Sequence, residues 1–297
     1  MSFSSEVKNE LVKKEYENYC CQKSLLYGLA LFAKQFSFER MVFQSENRGI
    51  VKLYTGLLKT LCNVSGRAVA SPSGKSYTVT LEDSAVCARL MTFFGHTADE
   101  KNLRVNHSNF SCPACENAFL AGAFLSCGSV STPEKDYHLE FTVPFLNLSK
   151  SLVTLLQEME LEPKTGNRKG YHIIYFKDSG AIEDCLYLMG ASASMFQMMN
   201  VKIVKEIRNS VNRRANCETA NIEKTVNAAM PQIEAIVKIK KKKGLDALSP
   251  ALREMAKVRL DNPELSLQEL AEQFNPPLTK SGANHRLKRL MQIAAEL

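Results

Sequence analysis

Apolar and polar positions alternate along the chain in two rhythms, and their order repeats. LKTLCNV and LSKSLVTLLQEM carry apolar residues at helical spacing, whereas YTVTL and YHIIYF are β-rich. SPSGK and KTGNRKG hold the Gly, Pro, Ser and Asn expected between paired strands. The pattern predicts elements at residues 24–34, 39–44, 47–62, 67–71, 76–82 and 83–94. It predicts a second set at 115–127, 137–143, 144–160, 162–168, 171–177 and 178–190. Each set reads helix, short strand, long helix, strand or hairpin, helix. CQKSLLYGLALFAKQF (residues 21–36) lies over CENAFLAGAFLSCGSV (residues 115–130) at an offset of 94. Cys21 meets Cys115, Leu26 meets Leu120, Gly28 meets Gly122 and Leu31 meets Leu125. The same offset pairs Leu58 with Leu152, Leu61 with Leu155 and Tyr77 with Tyr171. A tandem α+β duplication follows. Residues 205–245 are polar and helix-favouring, and predict a connecting helix ending in a basic stretch.

The last fifty residues are purely helical in pattern. Ser249 is a candidate N-cap with Pro250 at the first helical position. Ser266 and Glu269 have capping-box spacing, with Leu267, Leu270, Ala271 and Phe274 on one face. NPPLTK stops that helix. At 100° per residue, the final helix places Ala283, Leu287, Leu290, Met291 and Ala294 on one stripe. Ser281, His285, Lys288, Arg289 and Gln292 fall opposite, flanked by Asn284 and Arg286. Two short helices joined by a turn, the second with a hydrogen-bonding and cationic face, fit a helix-turn-helix running from Leu265 to Leu297. Its predicted partner is double-stranded DNA. Asn284 and His285 are candidates for base edges, and Lys280, Lys288 and Arg289 for phosphates, with Ser281 and Arg286 beside them. A terminal bundle with a solvated basic face is the competing reading.

Charge sharpens this division. Residues 1–200 hold 20 Lys+Arg and 20 Asp+Glu, while residues 201–297 hold 18 and 11, so the net +7 sits in the last third. A basic terminal module on a neutral body suits a polyanion. Lys238 and Lys240 to Lys243 read as a solvated face, with phosphate contact as the alternative. The apolar runs fall far short of the ~18 residues of a membrane helix. MSFSSEVKNELVKKE has no apolar signal core. The nine cysteines of a chain of 297 residues are not a disulfide scaffold, so reduced thiols in the cytoplasm are expected and no membrane is predicted as a partner. Cys112-Pro-Ala-Cys115 has CxxC spacing, and Cys20–Cys21 stands at the equivalent point of the first copy. Four thiolates suit Zn²⁺. A zinc site normally uses a second spaced pair, however, and adjacent cysteines are awkward for it. The cysteines are therefore read as buried thiols, with no metal and no cofactor assigned. His96, His107, His138 and His172 share no metal spacing.

LAGAFLSCG (residues 120–128) resembles the LAGLIDADG signature, and LYGLALFAK (residues 26–34) is a weaker first copy. The resemblance implies a duplicated homing-endonuclease-like domain whose two signature helices pack closely through Gly28 and Gly122. In those nucleases an acidic residue near the end of each signature helix binds metal. Here the equivalent positions are Ala33 and Cys127, neither a hard oxygen ligand. No catalytic residue is therefore expected, an active endonuclease being the alternative. MSFSSEVKNEL, Cys20–Cys21, AFLAGAFLSCGSVSTPEKDYHLEF, NRRANCETANIEKTVNAAMPQI and TKSGANHRLKRL together resemble the WhiA family over essentially the whole chain. That resemblance implies a degenerate LAGLIDADG body followed by a helix-turn-helix. It also implies a transcription regulator tied to cell division, the cell cycle and chromosome segregation, or to sporulation in some relatives, associated with the nucleoid. Other regulatory or division proteins become candidate partners. A thiol- or zinc-sensing DNA-binding regulator is a further alternative. The expected division is residues 1–106 and 107–204 for the two repeats, 205–245 for the linker and 246–297 for the helix-turn-helix.

Overall fold

The computed structural model describes residues 2–297. The described residues fall into two compact units, 2–204 and Lys205–Leu297. In the first, α1 (Phe3–Lys13) and α2 (Tyr19–Leu31) precede β1 (Gln35–Phe36), β2 (Met41–Ser45), α3 (Arg48–Cys62), β3 (Ala68–Ala70), β4 (Tyr77–Leu81) and α4 (Ser84–Phe93). The second copy runs α5 (Pro113–Cys127), β5 (Gly128–Val130), β6 (Leu139–Val143), α6 (Leu146–Glu158), β7 (Lys164–Arg168), β8 (Tyr171–Phe176) and α7 (Ser179–Met189). The two antiparallel sheets have identical strand orders, β1-β2-β4-β3 and β5-β6-β8-β7. The duplication is therefore a property of the topology. Its offset is not constant. Asn47 and Phe145, 98 residues apart, take the same N-cap place before α3 and α6. Asp83 and Asp178, 95 apart, do so before α4 and α7. Leu58 thus corresponds to Leu156 rather than Leu152, and Leu61 to Met159 rather than Leu155. Ser45 pairs with Tyr77 as Val143 pairs with His172, so Tyr77 corresponds to His172 rather than Tyr171. The longer β5–β6 connection moves the register, and apolar helices match at several offsets.

The core lies between the sheets and helices, and α2 and α5 run through it. Leu25, Leu26, Leu29, Phe119, Leu120 and Phe124 are all essentially buried. Such helices, apolar on every side, are what a domain interior demands. They cross backbone to backbone at two glycines. A Cβ on Gly28 would clash with the Phe119 carbonyl oxygen and stand 2.8 Å from Ala123 N; one on Gly122 would clash with the Leu25 carbonyl oxygen and stand 2.9 Å from Leu29 N. No side-chain movement relieves a backbone clash, so both positions require glycine.

The short edge strands β1 and β5 fall outside every predicted element, and two further features escaped the periodicity. α1 buries only Phe3, Val7 and Leu11, a stripe too short to stand out. The connecting helix is longer than expected: α8 spans Ser192–Lys242. Glu10 of α1 fixes its start, accepting from Ala193 N at 2.7 Å, Ser194 N at 3.0 Å and Ser194 Oγ at 2.6 Å. A carboxylate there satisfies orphan N–H groups at the positive end of the helix.

The second unit contains α9 (Pro250–Asp261), α10 (Leu267–Glu272) and α11 (Lys280–Ala295). Ile236 and Ile239 of α8 are buried with Met255, Leu270, Phe274, Leu287 and Leu290. No described helix is long and apolar enough to cross a membrane.

Candidate functional site

The second helix of the C-terminal pair is built from its caps upward. Ser266 Oγ accepts from Glu269 N at 3.3 Å and Glu269 Oε2 accepts from Ser266 N at 2.8 Å, which completes the capping box and starts α10. Ser249 stands at the N-cap place of α9, but its side chain makes no cap bond; Pro250 alone marks that start. Buried Arg259 pins the turn between α9 and α10, donating to the Asn262 and Leu265 carbonyl oxygens at 3.2 and 2.8 Å. Burial draws its pKa below the usual arginine value, against the pull of Glu264. Sequence reasoning missed Arg259, because nothing in a helical pattern marks one arginine as buried. The turn into α11 is closed by a backbone bond from Leu278 N to the Ala271 carbonyl, 3.0 Å, and Thr279 caps α11 by accepting from Gly282 N at 3.1 Å. Thr279 was also missed, although a threonine three residues before Gly282 is a legible cap signal.

α11 buries Ala283, Leu287, Leu290 and Ala294. Met291, expected on that stripe, is exposed. It lies at the edge of a stripe that four small or branched residues already fill. Lys280, Ser281, His285, Lys288 and Arg289 are exposed, while Asn284 and Arg286 are half-buried. The Arg286 guanidinium lies 5.7 Å from the centre of the Phe274 ring, which joins its cation to the turn after α10. Arg289 donates to Gln292 Oε1 at 3.1 Å. The outward side therefore offers an imidazole, a hydroxyl and three cations on a rigid helix, with an amide at its margin. Lys240 to Lys243 are exposed near the end of α8.

In the first unit, buried Ala33 lies two residues past the end of α2, and Cys127 is the last residue of α5. Both line an open cleft of about 1190 Å³ that also holds Lys8, Lys34, Arg48 and Lys75 against the single carboxylate Glu46. Burial draws the Lys8 pKa down, and burial pushes the Cys127 thiol up to about 12 against the pull of Lys8. The two positions thus offer a methyl group and a thiol, with Lys8 of α1 lining the same cleft.

At the opposite ends of the same helices the cysteines meet. Cys112 Sγ is 3.6 Å from Cys20 Sγ, 3.6 Å from Cys21 Sγ and 3.5 Å from Cys115 Sγ. All four sulfurs lie within 4.8 Å of one another, and all nine cysteines are unpaired thiols. The adjacency of Cys20 and Cys21, an obstacle in the sequence, is resolved by the helix crossing. They lie in the first turn of α2, while Cys112 stands in extended conformation at the N-cap position of α5, within 3.6 Å of both. The histidines lie elsewhere. His96 joins Tyr27 and Glu100, at 3.0 and 2.8 Å, and His138 binds Glu140 at 2.9 Å.

Comparison with known proteins bears on both units. The WhiA C-terminal HTH domain matches residues 211–294, and the WhiA LAGLIDADG-like domain matches residues 116–208. The "Probable cell division protein WhiA" of Clostridium botulinum (strain Hall) is 37% identical over 316 residues, covering 100% of this chain and 99% of that protein. The chain belongs to the WhiA family. The WhiA homologue of Caldicellulosiruptor saccharolyticus is likewise 37% identical, covering 100% of this chain and 96% of its own. Full-length DUF199/WhiA from T. maritima superposes with a TM-score of 0.63 at 26% identity, covering 100% and 99% of the two chains. The isolated N-terminal LAGLIDADG domain of DUF199/WhiA gives 0.51 at 21% identity over 64% of this chain and 92% of its own, a likeness of fold. The WhiA helix-turn-helix match begins at 211, well inside α8, which agrees with the burial of Ile236 and Ile239 in the C-terminal core.

Proposed function

We propose that this chain is a non-catalytic, sequence-specific DNA-binding protein, a transcription regulator that works on the nucleoid in cell division and chromosome segregation. The observation that carries the reading is the outward side of α11. Its exposed Lys280, Ser281, His285, Lys288 and Arg289 stand over a buried apolar stripe, on a helix held by a helix-turn-helix core. Seated in a major groove, such a helix brings its N-terminal residues to base edges. Asn284 and His285 take that role, and Lys280, Lys288 and Arg289 take phosphates, with Ser281 and Arg286 alongside. The division role is supported by what the WhiA relatives are called. The non-catalytic reading is supported by Ala33 and Cys127 at the positions where the resembled nucleases carry acidic residues, with Lys8 of α1 lining the same cleft. In domain terms the two repeats, 1–106 and 107–204, form a scaffold for the basic module.

The test is fluorescence anisotropy of the full chain on a labelled duplex across a salt series, with and without Mg²⁺. Each phosphate contact contributes about 0.9 to the slope of log K against log salt. Lys288→Ala with Arg289→Ala should weaken binding to every sequence and flatten the slope by about two. Unchanged affinity moves the interface off α11, and the cations of the body's cleft become the next candidates. Duplex cleavage with Mg²⁺ overturns the non-catalytic reading.

A further inference from the structure

Four cysteines converge at the start of the two central helices, and no DNA-binding role uses them. Their sulfurs are too far apart for a disulfide, which needs about 2.05 Å. They are too close together to surround an iron–sulfur cluster, whose ligating sulfurs stand outside the metal core. They have the size of a single tetrahedral site. A Zn–S bond of about 2.3 Å gives a tetrahedron with edges of about 3.8 Å. Three of the edges are 3.5, 3.6 and 3.6 Å, and none of the six exceeds 4.8 Å. We propose that Cys20, Cys21, Cys112 and Cys115 form a structural tetrathiolate site for one Zn²⁺ ion that fastens the first repeat to the second.

Three further observations agree with a built site. The donor set is purely thiolate, with no carboxylate or imidazole in the cluster among the described residues, and a soft tetrahedral set selects zinc over magnesium or calcium. The cluster stands at the first turns of α2 and α5, and neither helix has a side-chain cap: Asn18 and Cys112 make no cap bond. The positive ends of both helices offset part of the negative charge that a tetrathiolate carries. Cys21 and Cys115 are buried while Cys20 and Cys112 are half-exposed, so an ion has a route in and, once bound, a closed shell. Four protein ligands leave no open position, which is the mark of a structural rather than a catalytic zinc. Loading converts four thiols and Zn²⁺ into a tetrathiolate of net charge −2 and releases four protons.

The proposal does not rest on the DNA-binding reading and is tested without DNA. The full chain is purified under reducing conditions, and its zinc is measured by inductively coupled plasma mass spectrometry. Metal-free protein is then titrated with Co²⁺ alone. The expected result is about one zinc per chain. Co²⁺ should give the intense visible bands of tetrahedral cobalt with thiolate-to-metal charge transfer in the near ultraviolet, and equimolar Zn²⁺ should displace it. Cys112→Ser should abolish the cobalt spectrum, while Cys62→Ser and Cys217→Ser should leave it intact. The cobalt spectrum of the unmodified chain decides the matter even where the Cys112 variant folds poorly. Absence of both zinc and a cobalt spectrum in fully reduced protein overturns the proposal. So does a spectrum that survives Cys112→Ser. A thiol titration of the protein as purified that finds a disulfide among these four overturns it in favour of a redox pair.

Discussion

Replacing Gly28 or Gly122 with alanine tests the close crossing on which the body is built. The added Cβ meets only backbone. At Gly28 it clashes with the Phe119 carbonyl oxygen and lies 2.8 Å from Ala123 N and 3.1 Å from the Gly122 carbonyl carbon. Ordinary contacts between heavy atoms are about 3.5–4.0 Å, so relieving the tightest clash requires the helices to part by more than about 1 Å. That loosens Leu25, Leu29, Phe119 and Ala123, each no more than 2% exposed. Overpacking costs about 1–3 kcal/mol, and a clash between backbones belongs at the upper end. Alanine returns about 1 kcal/mol through its better helix propensity. The net expectation is a loss of about 2 kcal/mol, or a fall in Tm of about 4–8 °C for a unit of this size. Because one separation of the helices accommodates both methyls, the double variant should cost less than the sum of the singles. Gly56 of α3 is the control: a Cβ there meets nothing within 4 Å, so Gly56→Ala should hold or raise Tm. Differential scanning calorimetry of the wild type and the four variants reads the outcome. A Gly28→Ala protein that melts no lower than the wild type, or strictly additive singles, refutes the reasoning.

Asn284→Ala or His285→Ala should cost about 1–3 kcal/mol at preferred DNA sites and little on random duplex, as measured by competition; equal losses on both reassign them to backbone positioning. Ser266→Ala removes half of a formed capping box and should lower the C-terminal unit's stability by about 1 kcal/mol in urea unfolding, whereas Ser249→Ala, with no cap bond to lose, should not. Buried Glu140 is desolvated, but bonds from His138 at 2.9 Å and Arg168 at 2.6 Å outweigh that and hold its pKa below the usual carboxylate value. A depressed folded pKa stabilises above the unfolded value and loses that contribution as pH falls through the folded one. Glu140→Gln should therefore be less stable at neutral pH and show a shallower acid limb in thermal melts between about pH 5 and 2, and an unchanged acid limb excludes the linkage.

Much of the molecule was written in local patterns. The order of the helices, inner strands and hairpins of both repeats (the edge strands β1 and β5 excepted), the Ser266–Glu269 box and the four-residue stripe of α11 all depend on residues a few positions apart. So did the two glycines, once the two apolar helices were laid over one another. Local pattern failed where a partner far along the chain decided the outcome. The offset between repeats shifted because sheet pairing, not helix composition, sets register. α1 was invisible because its three apolar residues matter only against the body, and Arg259 because its acceptors belong to a turn. The charge split and the outward side of α11 came from the sequence alone, since periodicity on a single helix fixes which residues face out. The meeting of Cys20 and Cys21 with Cys112 and Cys115 came only from the tertiary fold. About ninety residues separate the two pairs, and the crossing of α2 and α5 at Gly28 and Gly122 is what brings their first turns together.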